Sequence, residues 1–223
     1  MRGLKAVPKA LFITFEGGEG VGKTTNIEYF KRLMADACLD YVATREPGGT
    51  PLAEEIRNLL LAPRDEKVCS NAELLLMFAA RAQHLSQFIE PSLQRGEHVV
   101  CDRFTDATYA YQGYGRELGV EAISVLENLV HGNRQPDLTV ILDAPVEVGM
   151  ARARARGDLD RFEQENLSFF ERVREGYLLR ASQNPDRYAV VDASLSLDKV
   201  QNQVKQVFED RVLRVISQAG EAS

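Results

Sequence analysis

The chain alternates short apolar runs with longer amphipathic segments over most of its length. Apolar runs of a length typical of buried β-strands lie at residues 11–15, 41–44, 98–101, 138–142 and 188–191. Segments with the three-to-four-residue apolar repeat of helices cover roughly residues 23–36, 51–61, 71–94, 105–112, 119–131, 146–156, 163–182 and 197–217. This alternation predicts an α/β fold, in which a five-stranded parallel sheet carries helices on both faces.

The pattern shows no boundary between domains. No Pro-rich, Gly/Ser-rich or long charged linker interrupts it, and no repeat is present. Because 223 residues are enough for one large α/β domain, we expect a single domain over residues 1–223. Ligands of such sheets bind at the carboxyl ends of the strands, so the residues after each strand are the first candidates for function.

A glycine-rich loop follows the first strand. Residues 17–24 read Gly-Gly-Glu-Gly-Val-Gly-Lys-Thr, the full G-x-x-x-x-G-K-[ST] phosphate-binding pattern. Glycines let several backbone N–H groups converge on one anion, and the next helix adds positive potential at its N-terminus. The alternative, a chance glycine turn, is disfavoured by the flanking strand and helix. The sequence therefore predicts a three-layer P-loop NTPase fold that binds a nucleoside triphosphate.

In this pattern Lys23 reaches the β- and γ-phosphates and the Thr24 hydroxyl is a ligand of Mg²⁺. The residues predicted to bind the nucleotide are Gly17, Gly18, Glu19, Gly20, Val21, Gly22, Lys23, Thr24 and Thr25, together with Arg152 farther along the chain.

Charged residues also stand at the ends of the predicted strands. Asp102 ends an apolar run, as the Mg²⁺-binding Asp of a Walker B strand does, and Arg103 behind it is placed to contact a phosphate. Glu16, just before the loop, is a candidate for a water-mediated metal contact. Each carboxylate alone is explained better by helix capping or a loop position, and only their joint position at one edge of a nucleotide-binding sheet favours a functional role.

Arginines concentrate between residues 152 and 161. Arg152 and Arg156 share one helix face, and Gly157 follows as a hinge. One interpretation is a solvated basic helix end, which the helix dipole favours. The other is a lid over about residues 152–163 whose arginines close on the phosphoryl group, since its transfer needs fixed positive charge and exclusion of water. The phosphate loop favours the lid.

Composition limits the partners and the compartment. The net charge of −6 argues against a nucleic-acid polymer or an anionic membrane as partner. Cys38, Cys69 and Cys101 form no C-x-x-C pair, which fits reduced thiols in the cytosol. The longest apolar run, residues 74–80, is too short to span a bilayer. We expect a soluble cytoplasmic protein.

The phosphoryl acceptor is expected to be a second bound substrate. The histidines, His84, His98 and His131, are scattered and suggest no nucleophile system. Phe78 and Arg81 lie one turn apart on a predicted helix and could stack on and hydrogen-bond a nucleobase. By pattern alone, a core phenylalanine beside a surface arginine explains them better.

Several longer strings closely resemble the bacterial thymidylate kinases, from the phosphate loop to the C-terminal helix. They are E-G-G-E-G-V-G-K-T-T at 16–25, T-R-E-P-G-G-T at 44–50, F-A-A-R at 78–81, D-R-F at 102–104, A-Y-Q-G at 110–113, P-D at 136–137, R-A-R-G at 154–157 and L-D-R-F-E at 159–163. The resemblance implies transfer of the γ-phosphate of ATP to dTMP, with Mg²⁺ and with a homodimer as the typical assembly.

The resemblance also implies roles for single residues. Phe78 would stack on thymine and Arg81 would hydrogen-bond it. Thr108 and Gln112 would contact base and sugar, while Tyr111 would occupy the space of a ribose 2′-hydroxyl. Arg57 and Arg103 would hold the acceptor phosphate, and Glu16 would lie near the metal or the 3′-hydroxyl.

The arginines identify a subtype. Glu19 stands inside the loop where some relatives carry a basic residue, so the chain resembles the type with arginines in its lid, and Arg156 matches the principal one. Two positions depart from the family. Phe104 stands where many relatives have Tyr or His, and the Phe78–Arg81 spacing is one residue shorter than in several relatives.

Two other functions stay open at this point. One is a kinase for another small acceptor, such as a deoxynucleoside or shikimate. The other is a regulatory ATP-binding module without an acceptor, which the lid arginines and the R-E-P-G-G-T segment argue against.

Overall fold

The sheet has five parallel strands, as the sequence predicts. The computed structural model describes residues 10–157 and 165–221. The strands are β1 (Phe12–Glu16), β2 (Tyr41–Arg45), β3 (His98–Asp102), β4 (Leu138–Asp143) and β5 (Tyr188–Asp192). Their order is β2-β3-β1-β4-β5, and every neighbouring pair is parallel. The central strand β1 pairs with β3 and β4, so the loop after it emerges at the middle of the sheet edge.

Helices connect the strands and cover the sheet. They are α1 (Lys23–Asp36), α2 (Pro51–Leu61), α3 (Ser70–His84), α4 (Glu90–Gln94), α5 (Thr105–Thr108), α6 (Glu121–His131), α7 (Val146–Arg156), α8 (Leu167–Gln183), α9 (Leu197–Phe208) and α10 (Arg214–Glu221). π-Helical turns occupy Leu85–Ile89, Tyr109–Gly115 and Glu209–Leu213. The helices predicted over 71–94, 105–112 and 197–217 are therefore each divided by, or continued into, a π-helical turn.

Alternate residues of the strands pack on opposite faces of the sheet. Ile13 and Phe15 of β1 belong to a core that includes Phe30 of α1 and Phe208 of α9. Phe12 points to the other face and packs with Leu85 and Ile89, which belong to the π-helical turn after α3. The strands are apolar on both faces for this reason, and the prediction of helices on both faces is confirmed.

No helix within residues 10–157 and 165–221 is both long enough and apolar enough to cross a membrane.

Candidate active site

A cleft of about 550 Å³ opens at the carboxyl edge of the sheet, where the strand-end residues predict a ligand. One part of its wall is the phosphate loop from Glu19 to Thr25, with Asp102 and Arg103 beside it. The other part consists of side chains from the segment after β2, from α2, from α3 and from the segment after β3; these residues are Glu46, Pro47, Arg57, Leu61, Met77, Arg81, Phe104, Ala107, Thr108, Tyr111 and Gln112. The cleft thus joins a phosphate-binding half to a second, mixed half.

The phosphate loop has the conformation that its glycines permit. Gly20 has φ +67°, and a Cβ there would lie 1.9 Å from the carbonyl oxygen of Gly149, so no other residue fits. Helix α1 begins at Lys23, directly after the loop, and directs its first N–H groups toward the cleft. Lys23 Nζ donates to the carbonyl oxygens of Gly18 (2.9 Å) and Gly17 (3.3 Å). Burial and the neighbouring Arg103 lower the pKa of Lys23.

Asp102 and Thr24 are placed to hold a divalent cation. Both residues line the cleft. Oδ1 of Asp102 is buried and has no hydrogen-bond partner among the described residues, as expected of an oxygen whose partner is a ligand. A carboxylate and a hydroxyl supply the oxygen atoms that Mg²⁺ prefers. The donor set of these two residues therefore fits Mg²⁺.

The burial of Glu16 is at odds with its predicted role. Glu16 is completely buried and does not line the cleft. The backbone N–H of Phe104 donates to Oε1 (2.7 Å), and the Tyr177 hydroxyl donates to Oε2 (2.8 Å). Burial and the charge of Asp106 raise the pKa of Glu16 to about 8. With both oxygens engaged inside the protein, Glu16 is a poor ligand for a metal or a sugar, and Glu19 is the loop carboxylate that reaches the cleft.

Arg103 connects the loop to the second half of the cleft. Its φ of +68° is uncommon for a residue with a side chain and is typical of functional sites. Nη1 donates to the carbonyl oxygen of Gly17 (2.9 Å), and Nη2 donates to Oε1 of Glu19 (2.6 Å) and to the Tyr111 hydroxyl (3.1 Å). The Tyr111 hydroxyl also donates to Glu19. The structure therefore brings together three residues that the sequence places in the site.

The residues predicted to bind the acceptor line the second half, with the exception of Phe78. Arg57 donates to the carbonyl oxygen of Pro47 (2.9 Å), Arg81 Nη2 to Thr108 Oγ1 (3.0 Å), and Gln112 Nε2 to Oε1 of Glu73 (2.8 Å). These bonds fix side chains that would otherwise sample many rotamers, so the wall is pre-formed.

Phe78 does not reach the cleft. It is 2% exposed and packs with Leu74, Tyr109 and Ile123. The guanidinium carbon of Arg81 lies 4.8 Å from its ring centroid, so Arg81 covers the ring. Met77 lines the cleft instead. The stacking role predicted for Phe78 is therefore at odds with its position, and the short Phe78–Arg81 spacing is the sequence signal for this.

The lid is only partly described. Arg152 of α7 is exposed, lines the cleft and donates to the carbonyl oxygen of Ala193 (2.9 Å). Helix α7 ends at Arg156, and Gly157 follows with φ +131°. The remainder of the predicted lid, residues 158–163, lies outside the described residues, as does the side chain of Arg156.

Sequence reasoning missed some residues of the site. Glu46, Pro47, Leu61, Met77 and Ala107 line the cleft but were not among the predicted site residues. Glu46 and Pro47 stand in the R-E-P-G-G-T string, which was a signal for them. The short Phe78–Arg81 spacing was the one signal for Met77. Leu61 and Ala107 are apolar residues on helices, and nothing in the sequence separates them from core positions.

The fold and the site define a P-loop protein of the nucleoside monophosphate kinase class, with a phosphate loop beside a pre-formed second pocket. The family model described as thymidylate kinase matches residues 15–204. The chain is 61% identical over 194 residues to thymidylate kinase of Pseudomonas putida (strain GB-1), which covers 87% of this chain and 92% of that protein. It is 58% identical over 198 residues to thymidylate kinase of Teredinibacter turnerae, which covers 89% and 97%.

A solved structure gives the same answer. The crystal structure of thymidylate kinase from Ehrlichia chaffeensis is similar with a TM-score of 0.69 and 36% identity, over 90% of this chain and 99% of that one. The chain belongs to the thymidylate kinase family.

Proposed function

We propose that the protein transfers the γ-phosphoryl group of ATP to dTMP, giving dTDP and ADP for dTTP biosynthesis. The observation that carries this proposal is one continuous cleft that joins a phosphate loop to a pocket lined by Arg57, Arg81, Thr108 and Gln112. An ATP-binding regulatory module has no use for a second pre-formed polar pocket. Membership in the thymidylate kinase family supports dTMP as the acceptor.

On the donor side, the backbone of residues 17–25 cradles the phosphates of ATP. Lys23 exchanges its two carbonyl partners for the β- and γ-phosphate oxygens, and Thr24 and Asp102 hold Mg²⁺. When bound, this ion neutralises charge on the phosphate oxygens. Although the pKa of Lys23 is lowered, the negative charge of a bound phosphate favours the protonated, charged form of its amine.

On the acceptor side, Arg57 and Arg103 hold the 5′-phosphate of dTMP. Arg81, Thr108 and Gln112 read the base, and Met77 supplies the apolar surface in place of Phe78. Glu19 and Tyr111 lie next to the sugar. Arg103 contacts both the loop and Tyr111, so it is placed between donor and acceptor, where phosphoryl transfer develops charge.

The lid arginines complete the transfer site. We place Arg152 and Arg156 over the transferring group, where they neutralise its oxygens and exclude water. Arg152 already lines the cleft in this conformation. A single domain over residues 1–223 holds these parts.

A homodimer in the cytoplasm is part of the same proposal. Leu75 of α3 and Val125 and Leu129 of α6 are exposed large apolar side chains on helices that pack side by side. Exposed apolar side chains on neighbouring helices are a surface that a second subunit would cover. Free Cys38 and Cys69 at the surface agree with a reducing compartment.

A coupled ADP-release assay across a panel of nucleoside monophosphates tests the function. We expect turnover with dTMP far above that with other monophosphates, with deoxynucleosides or with shikimate, and loss of turnover on chelation of Mg²⁺. Lys23→Ala, which removes the phosphate contact, should abolish most turnover, whereas Lys31→Ala, which removes only an ion pair with Glu28 of the same helix, should not. Slow ATP hydrolysis that no monophosphate stimulates would instead identify a regulatory module.

A further inference from the structure

A buried polar chain runs from the end of β2 to Arg81. Oε2 of Glu46 accepts from Nε of Arg81 (2.7 Å), and Oε1 of Glu46 lies 3.0 Å from Nδ1 of His84. Nε2 of His84 lies 2.7 Å from the Thr44 hydroxyl. Glu46, Arg81 and His84 are 4%, 3% and 0% exposed, so the chain is shielded from water. Shielded hydrogen bonds of this kind hold side chains firmly.

The ionised carboxylate of Glu46 determines which atoms of this buried hydrogen-bond chain donate and which accept. Burial by itself raises the pKa of Glu46, but the Arg81 charge and the His84 hydrogen bond outweigh it, so that the pKa is lowered. An ionised Glu46 only accepts, which requires a proton on Nδ1 of His84. In the neutral ring, Nε2 then accepts from the Thr44 hydroxyl. Every polar atom of Glu46 and His84 thus has a partner.

The loop after β2 leaves His84 little freedom to move. A Cβ at Gly49 would lie 2.3 Å from Nε2 of His84 and 2.6 Å from Oγ1 of Thr44. The ring of Phe88 stacks on the other side of His84, with centroids 5.7 Å apart. His84 is therefore clamped, and it clamps the carboxylate of Glu46 in turn.

Arg81 is held in the same way, except at one atom. Its guanidinium carbon lies 4.8 Å from the ring centroid of Phe78 and 5.1 Å from that of Phe104. Nε donates to Glu46 and Nη2 donates to Thr108. Nη1 is buried and has no hydrogen-bond partner within the described part of the chain, although Arg81 lines the cleft. A buried N–H without a partner is costly unless a ligand satisfies it.

We propose that Glu46, held by His84 and Thr44, is a positioning residue that orients Nη1 of Arg81 toward a carbonyl oxygen of the acceptor base. The proposal rests on the proposed function, in which Arg81 reads the base. A donor fixed at this point favours a pyrimidine with a carbonyl oxygen over one with an amino group there, because two donors cannot pair. Glu46 thereby contributes to discrimination of dTMP from dCMP without touching either.

A purely structural role for Glu46 makes different predictions. If the role were structural, Glu46→Gln would lower stability and weaken the use of ATP and dTMP alike. If Glu46 positions Arg81, the substitution affects the use of dTMP and its discrimination from dCMP. The kinetic constants for ATP and dTMP therefore separate the two roles.

The test uses Glu46→Gln, Arg81→Ala and the double variant, with Glu127→Gln as the matched control. Glu127 is also a buried carboxylate; it accepts from the Tyr109 hydroxyl (2.5 Å), and in the described part of the chain no hydrogen bond or ion pair joins it to Arg81. For Glu46→Gln we expect KM for dTMP to rise about tenfold, the value of one charge-assisted hydrogen bond. KM for ATP should change less than about threefold, and the dTMP-to-dCMP ratio of kcat/KM should fall. The double variant should be no worse than Arg81→Ala, since Glu46 acts through Arg81.

Four outcomes would overturn the inference. Two of them concern Glu46→Gln alone: an equal rise in KM for ATP and for dTMP, and an unchanged dTMP-to-dCMP ratio of kcat/KM. The third is a double variant whose loss of activity with dTMP is the product of the losses in the two single variants. The fourth is the same change in the kinetics of dTMP in Glu127→Gln. If Arg81→Ala impairs dTMP use and Glu46→Gln does not, only this inference fails. If Arg81→Ala itself leaves dTMP use unchanged, the role of Arg81 in the proposed function fails with it.

A second variant covers the case in which Glu46→Gln does not fold. His84→Asn keeps a donor near Oε1 of Glu46 and removes the bond to Thr44. We expect a smaller rise in KM for dTMP, with KM for ATP unchanged. Unchanged dTMP kinetics in a folded His84→Asn variant would also contradict the proposal.

Discussion

At the scale of single residues, the buried carboxylate of Glu16 gives the protein a pH dependence. Its pKa is raised to about 8 in the folded chain from an ordinary value of 4.5, through burial and the charge of Asp106. The folded state then binds more protons than the unfolded state between these two pH values, so stability falls as pH rises through this window. Below about pH 4.5 the carboxyl group of Glu16 is protonated in both states, so it no longer makes the stability change with pH.

We expect Glu16→Gln to flatten this pH dependence. The amide keeps an acceptor for the Phe104 N–H and offers a donor to the Tyr177 oxygen, without a charge to bury. Urea unfolding between pH 6 and 9 should show wild-type stability falling by about 1.4 kcal/mol for each pH unit below the raised pKa, and a smaller slope in the variant. Equal slopes in both proteins would contradict the assignment of the titration to Glu16.

Tyr111 sets the sugar preference in the proposed function. Its ring packs with Phe169 and Tyr177, and its hydroxyl bonds Arg103 and Glu19. A side chain held on both sides cannot move away from a ribose 2′-hydroxyl, so dTMP should be preferred over its ribonucleotide by about tenfold or more. Tyr111→Ala should narrow this ratio of kcat/KM by improving the ribonucleotide relative to dTMP. Tyr111→Phe, which keeps the ring, should retain the preference, and an unchanged ratio in Tyr111→Ala would remove the role.

The positions of Phe78 and Glu16 show where sequence reasoning about single residues ends. Met77 and Phe78 lie four and three residues before Arg81, and both spacings place a side chain near it on a helix. Which of the two faces the cleft depends on the rotation of α3 in its packing, which periodicity does not specify. Glu16 and Glu19 likewise lie near the start of the phosphate loop, but Glu16 still belongs to β1, all of whose residues are buried, whereas Glu19 lies in the loop and lines the cleft.

At the scale of elements, strands and helices were predictable because each has its own apolar period. The divisions of the long helices were not. The helix predicted over 71–94 contains the π-helical turn Leu85–Ile89 just before Pro91. Proline lacks an N–H and its ring crowds the carbonyl four residues earlier, and a π-helical turn relieves both effects. The apolar repeat continues through the turn and so hides it.

The lid is the element for which catalysis gives the sharpest prediction. Arg156 ends α7, and Gly157 with its positive φ follows directly. An arginine that acts on the transferring group stabilises the transition state more than bound ATP, so Arg156→Ala should lower kcat about 10³-fold and change ATP affinity far less. Arg214→Ala, which removes a surface arginine paired with Asp210, is the control. Equal losses in ATP binding and turnover would make Arg156 a binding residue only.

At the scale of the whole molecule, the cleft was predictable in place but not in shape. The phosphate loop and the strand ends lie at one sheet edge in any parallel α/β fold, which is why Lys23, Asp102 and Arg103 line the cleft together. The acceptor wall combines the segment after β2 with α2 and α3, and its geometry depends on long-range contacts such as that between Glu46 and Arg81. A chain pattern carries no information on such contacts.

The exposed apolar side chains of α6 give the last prediction, which concerns assembly. Val125 and Leu129 lie one turn apart and are 67% and 78% exposed. If they pack against a second copy, Val125→Glu with Leu129→Glu buries two charges in that interface, which costs several kcal/mol. Sedimentation equilibrium should find a dimer for the wild type and a monomer for the double variant, both with native circular dichroism. Leu179→Glu, on the exposed face of α8, should remain dimeric, and a wild-type monomer at micromolar concentration would exclude the assembly.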